Sequence, residues 1–220
     1  MLNSEKIIVA LDTRSLSKAK KLVKTLWPRV KFFKIGLEMI NTGQAPELIK
    51  FVHKLNGKVF YDAKLNDIPN TVGGAAKVIS GLGVWGFTIH SSSGREAIRT
   101  AVEKSGKAKV IGVTTLTSIA SVSRRNIIKS AEMLIEEGVD GIVCSVQEVI
   151  FLKKFKKILI TPGIRPAWAN INEQKRTATP RKAIEVGADY IVIGRPVTNP
   201  PVGMSQDEAL DLILDDINKR

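Results

Sequence analysis

Ile135-Glu-Glu-Gly-Val-Asp-Gly-Ile-Val143 returns later in the chain as Ile184-Glu-Val-Gly-Ala-Asp-Tyr-Ile-Val192. Each copy reads as a helix end, a tight turn and a strand start, with Gly138 and Gly187 where the helix must stop. Outward from these two segments the same alternation runs the length of the chain. Apolar strand-like runs are predicted at 7–11, 32–37, 59–63, 86–90, 110–114, 141–145, 158–161 and 190–194. Helical periodicity occupies 17–26, 45–55, 70–81, 95–104, 123–137, 146–155, 180–186 and 205–218. Short strands separated by helices pair in parallel through right-handed crossovers. Eight such units in 220 residues, with no linker or composition break, predict a single (β/α)₈ TIM-barrel domain over residues 1–220.

The rival architecture is a doubly wound open sheet, and one string could support it. Gly81-Leu-Gly-Val-Trp-Gly86 has the spacing of a dinucleotide-binding loop. It follows a helix and precedes a strand, the reverse of the order that chemistry needs. It is read here as a helix terminator and a turn.

Composition sets the outer limits. Hydrophobic residues make up 44% of the chain and charged ones 25%, which excludes a disordered tail, a collagen-like repeat or a disulfide mini-protein. No run of eighteen apolar residues is present, and the first residues lack a signal-peptide pattern. A single cysteine, Cys144, has no partner within the chain, so the expected location is cytoplasmic and no membrane partner is expected. Thirty-four Lys and Arg against twenty-one Asp and Glu leave a net charge of +13. The densest basic runs, Lys18 to Lys24 and Lys153 to Lys157, fall on two different predicted helices rather than on one stripe. That placement favours a small anionic ligand over nucleic acid.

In such a barrel, chemistry belongs at the C-terminal ends of the strands. Strand one ends at Asp12, strand two carries Lys34, and strand three ends Asp62-Ala-Lys64 with Asp67 just beyond. A lysine inside an apolar run is costly unless a carboxylate meets it. Side chains alternate along a strand, so Asp62 and Lys64 are expected on one face, beside Lys34 on the neighbouring strand. Lys34, Asp62, Lys64 and Asp67 are therefore expected to form an alternating group of two ammoniums and two carboxylates; the competing reading is a structural ion-pair network. Across the mouth, Pro162-Gly-Ile-Arg165 and Gly194-Arg195 place a glycine and an arginine after strands seven and eight, suited to a phosphate. Residues 164–179 form a long loop in which Gln174 offers an amide and Trp168 either a shield or an anchor. Thr117 lies where it can hydrogen-bond a heterocycle. Cys144 reads as a core residue, His90 as a strand-end histidine and His53 as incidental. The two histidines and one cysteine form no evident metal-ligand set.

Asp62-Ala-Lys64-Leu-Asn-Asp67-Ile-Pro-Asn-Thr71 resembles the signature of the orotidine 5′-phosphate decarboxylase family. The likeness extends over nearly the whole chain, through Val9-Ala-Leu-Asp12, Phe33-Lys34-Ile-Gly, Leu116-Thr117-Ser118, Thr161-Pro-Gly-Ile-Arg165 and Ile193-Gly-Arg195-Pro. It implies cofactor-free decarboxylation of orotidine 5′-phosphate to uridine 5′-phosphate, the last step of pyrimidine nucleotide synthesis. It implies Lys64 as proton donor, with Asp62 and Asp67 keeping it cationic and Lys34 contacting the ribose with Asp12. Thr117, Arg165, Gln174, Gly194 and Arg195 are implied as further substrate contacts. A homodimer is implied too, with Asp67 and Thr71 reaching the neighbouring subunit's site. One departure is local: His90-Ser-Ser-Ser-Gly94 is more serine-rich than the family's turn. Two alternatives remain at this point: the related Mg²⁺-dependent sugar-phosphate decarboxylases, and a non-catalytic phosphate-ligand or RNA-binding barrel.

Overall fold

The computed structural model describes residues 3–115, 123–169 and 177–219. Eight parallel strands close on themselves in sequence order, and β1 pairs with both β2 and β8. They are β1 (Ile7–Ala10), β2 (Phe32–Gly36), β3 (Lys58–Leu65), β4 (Gly86–His90), β5 (Lys109–Val113), β6 (Gly141–Val143), β7 (Ile158–Thr161) and β8 (Tyr190–Ile193). Between and after them run α1 (Leu16–Leu26), α2 (Leu37–Ile40), α3 (Ala45–Lys54), α4 (Pro69–Gly81) and α5 (Arg95–Lys104). The second half supplies α6 (Arg124–Glu136), α7 (Val146–Leu152), α8 (Pro180–Val186), α9 (Arg195–Thr198) and α10 (Gln206–Asn218).

The helices begin and end where side chains satisfy their open backbone groups. Ser15 accepts from Lys18 N–H at α1, and Ser205 with Glu208 closes a capping box on α10. Thr179 caps α8, Pro180 takes its first position, and Gly187 ends it at φ 111°. Inside α1, Ala19, Leu22, Val23 and Leu26 recur at helical spacing and are buried. Each large side chain of that stripe contributes roughly 1.5–3 kcal/mol by leaving water.

The period of two along each strand divides the core. On β1, Ile7 and Val9 face the helices, while Ile8 and Ala10 face the barrel axis. The axial group is Ile8, Ala10, Phe32, Phe60, Ile111, Ile160 and Val192. Below it, Trp85 meets Phe32, Phe60 and Tyr190 edge-on, with ring centroids 4.8, 6.1 and 5.5 Å away. These rings plug the N-terminal end, and the axial positions turn polar only toward the other end. The site is thereby placed by packing.

Gly81 ends α4, Gly83 turns at φ 73°, and Gly86 opens β4, so the dinucleotide-like string is a helix stop and a turn. Two short helices, α2 and α9, lie where the sequence reading continued a strand or a loop. Among the described residues, no helix is long and apolar enough to cross a membrane.

Candidate active site

The axial side chains change character over one layer. Toward the C-terminal end, Ile8 and Ala10 give way to Asp12, Phe32 to Lys34, and Phe60 to Asp62 and Lys64. These polar groups line a cavity of about 230 Å³. Register sets Lys34 one step lower, opposite Ala10 and Phe60, while Gly36 pairs with Asp62, so the Lys34 side chain reaches up past Gly36 to meet the carboxylates. Gly36 keeps the space open, since a Cβ there would lie 3.0 Å from Lys34 Nζ.

The charges form a continuous row. Lys34 Nζ lies 3.0 Å from Asp12 Oδ1 and 3.4 Å from Asp62 Oδ2, and Lys64 Nζ lies 2.8 Å from that same Asp62 oxygen. The side chains of Lys34 and Asp62 are 13% and 11% exposed, whereas Lys64 is 32% exposed. The inner pair is therefore fixed in the wall, and Lys64 stands at the open end. Burial alone would push the Asp62 carboxyl up. Lys34 and Lys64 outweigh it, and with hydrogen bonds from Lys64 and Thr88 they hold it below the usual carboxylate value. Burial likewise pulls the Lys34 ammonium down, but Asp62 and Asp12 override it and keep its pKa above the ordinary lysine value.

Asp67 does not belong to this row within one chain. Its Oδ1 accepts a 2.7 Å bond from Ile68 N–H, and the residue is exposed. Asp12 is the second carboxylate of the row, which corrects the sequence grouping. Asp67 sits past the strand end, where the chain has already turned outward into α4. Thr71, in the first turn of α4, is exposed as well.

The way Asp62 and Lys64 meet also differs from simple alternation. Tyr61 pairs with Phe87 and Leu65 with Ile89, so β3 advances four residues while β4 advances two. The excess forms a bulge, and Lys64 adopts φ 50° within it. Bulges re-aim side chains, and this one brings the Lys64 ammonium back onto Asp62.

Across the cavity lie Pro162, Gly163, Arg165, Gly194 and Arg195. Gly163 takes φ 77°, and the loop stem is fastened there by Arg165 N–H donating to Ala178 O at 2.9 Å. Arg165 is buried, while Arg195 is exposed at the start of α9. Trp168 packs against the core. Thr117 and Gln174 lie outside the described residues. Thr115, which the sequence reading passed over, lines the cavity.

The serine-rich turn after β4 grips its neighbours. Ser91 Oγ donates to Thr114 O at 3.0 Å, and Ser93 Oγ donates to Leu65 O at 3.1 Å. Ser92 Oγ lies 3.1 Å from Asn66 Oδ1 and 2.7 Å from His90 Nδ1. Burial, then the Lys64 charge, hold the His90 imidazole below its ordinary pKa. Cys144 is fully buried and its thiol is pushed up by burial, as befits a core residue.

The chain that carries this lysine–aspartate row and the two arginines is similar to known proteins. The profile of the orotidine 5′-phosphate decarboxylase / HUMPS family matches residues 5–202. The chain belongs to this family. An orotidine 5′-phosphate decarboxylase of Syntrophomonas wolfei is 39% identical over 224 aligned positions, covering 90% of this chain and 92% of that protein. One from a Nostoc strain is 40% identical with the same coverage. Among solved structures, the orotidine 5′-phosphate decarboxylase of Lactobacillus acidophilus superposes with a TM-score of 0.81 at 30% identity, covering 98% of this chain and all of that one. All three of these relatives carry the orotidine 5′-phosphate decarboxylase name.

Proposed function

We infer that the chain decarboxylates orotidine 5′-phosphate to uridine 5′-phosphate, and that it does so without a cofactor. The observation that carries this reading is the Asp12–Lys34–Asp62–Lys64 row in the mouth of a barrel from this family, opposite Arg165 and Arg195. Loss of CO₂ breaks the bond to C6 of the pyrimidine and leaves its electron pair on a carbon with no conjugated sink. A fixed cation at that carbon is the direct remedy, because it stabilises charge that exists only in the transition state. Lys64 fills that role: its ammonium meets the developing carbanion, then gives C6 a proton, and solvent reprotonates the amine. Asp62 holds the ammonium in place and faces the departing carboxylate. Lys34 and Asp12 contact the ribose hydroxyls.

Arg165 and Arg195, with Gly194, Gln174 and Thr117, bind the phosphate and base ends. Binding energy gained far from C6 then contributes to catalysis at it. We further read the enzyme as a homodimer in which Asp67 and Thr71 serve the neighbouring site. Support comes from their outward placement beside exposed Ile68 and Val78 on the same stretch of chain. One barrel built from all the described strands supports a single domain over residues 1–220. A lone buried cysteine supports a reducing cytoplasmic setting.

The test is an ultraviolet assay of orotidine 5′-phosphate turnover in excess chelator. Full activity is expected. Activity that disappears with chelator and returns with Mg²⁺ would assign the chain to the metal-dependent branch.

A further inference from the structure

Thr88, which donates to Asp62, also touches a second member of the charge row. It lies in the middle of β4, fully buried, next to the bulge of β3. Its Oγ1 accepts a 2.8 Å hydrogen bond from Lys64 N–H and donates a 3.0 Å bond to Asp62 Oδ1. A hydroxyl has one proton to give, and here it is given to the carboxylate while a lone pair takes the amide.

Two features of Lys64 make that amide contact matter. Its φ of 50° lies in the left-handed region, which a lysine adopts only when its surroundings impose it. The bulge also takes it out of regular register with β4, so its N–H needs another acceptor. Thr88 supplies one. The same hydroxyl settles how Asp62 is turned: with Oδ1 bound to Thr88, Oδ2 is the oxygen left to face Lys64 Nζ at 2.8 Å and Lys34 Nζ at 3.4 Å. One side chain thus fixes Lys64 at both ends, at the backbone directly and at the ammonium through Asp62.

We propose that Thr88 is a positioning residue for the reaction, holding the Lys64 ammonium against C6 through its paired contacts to Lys64 N–H and Asp62. The proposal rests on the reading of Lys64 as proton donor. It does not require Thr88 to touch substrate. A misplacement of about 1 Å at a reacting group can cost on the order of a hundredfold in rate.

Thr88→Val keeps the shape and removes both hydrogen bonds; Thr88→Ser keeps both bonds and removes a methyl group. In the full-length enzyme, kcat should fall roughly ten- to a hundredfold in the valine variant, the range for losing a hydrogen bond to a charged group. Its KM and its affinity for uridine 5′-phosphate should stay within about twofold of wild type, since the lost contacts are not substrate contacts. The serine variant should recover most of the lost kcat. A purely structural role gives another pattern: lower stability toward urea, with the folded enzyme turning over at the wild-type kcat, and that result overturns the proposal. If the valine variant does not fold, Thr88→Cys, a poor donor and acceptor, replaces it; a kcat drop supports the proposal and an unchanged kcat overturns it. Lys64→Ala in the same assay separates two failures. If Lys64→Ala is inactive while Thr88→Val is normal, only the role of Thr88 is wrong. If Lys64→Ala remains active, the reading of Lys64 fails and the role of Thr88 fails with it.

Discussion

Replacing Asp62 by asparagine removes the charge at the centre of the row while keeping its shape. Asp62 Oδ2 lies 2.8 Å from one ammonium and 3.4 Å from another. At an effective dielectric of about 20, unit charges about 3 Å apart interact by roughly 5 kcal/mol before desolvation is subtracted. Removing one partner of a buried pair costs about 3–5 kcal/mol net. The lower end applies here, because Lys64 is partly open to water and Lys34 retains Asp12. Asp62→Asn should therefore lose about 3 kcal/mol, which for a domain of this size is roughly 6–12 °C in Tm.

The sign of the pH dependence makes the test sharper. The folded pKa of Asp62 is depressed, so its contribution is complete above about pH 4, the unfolded value, and is lost as pH falls through the folded one. Urea denaturation of wild type and variant should differ by a constant amount from about pH 5 to 9 and converge in stronger acid. Lys34 behaves oppositely. Its raised pKa gives stability that is complete below about pH 10 and lost as pH rises through the folded value, by a smaller amount once Asp62 is gone. Equal stability of the two proteins at pH 7, or a gap unchanged down to pH 2, would refute the assignment of Asp62 as the buried anion of the row.

Two further expectations test the proposed phosphate contact and the proposed sharing of sites between two subunits. Arg165→Ala should lower kcat/KM for orotidine 5′-phosphate by at least about a hundredfold, the scale of a charge-assisted contact to phosphate. It should leave the slow turnover of phosphate-free orotidine nearly unchanged; equal losses on both would place Arg165 elsewhere. Lys64→Ala and Asp67→Ala, each inactive alone, should regain about a quarter of wild-type activity when mixed and allowed to exchange subunits, because half of the dimers then carry one intact site of two. No recovery would keep Asp67 within its own subunit's site or outside the chemistry.

Much of this architecture can be read directly from residues. The short apolar runs of the strands and the glycine stops at Gly138 and Gly187 are local signals, and they let eight strand–helix units be counted in the order in which the barrel closes. Charges at strand ends stand out because packing alone would place apolar side chains there, and this makes Asp12, Lys34, Asp62 and Lys64 visible. What remains hidden depends on register. No local pattern announces the bulge between Tyr61 and Leu65, and without it Thr88 is one more β-branched strand residue. Asp67 looks like a member of the row because spacing measures distance along the chain, and the turn outward after Leu65 is a tertiary event. The serines at 91–93 stand out in the sequence only as a departure from the family's turn, and their hydroxyls meet Leu65, Asn66, His90 and Thr114, partners that tertiary packing supplies. The short helices α2 and α9 have only four residues each, too few for periodicity to register.

The central claim is that one ammonium, that of Lys64, both steadies the carbanion and protonates it. Its most direct test is single-turnover decarboxylation by Lys64→Ala, run beside circular dichroism and uridine 5′-phosphate binding on the same preparation. The expected result is a folded protein that binds the product and releases no CO₂ on the wild-type timescale. Release at a near-normal rate from that variant would contradict it.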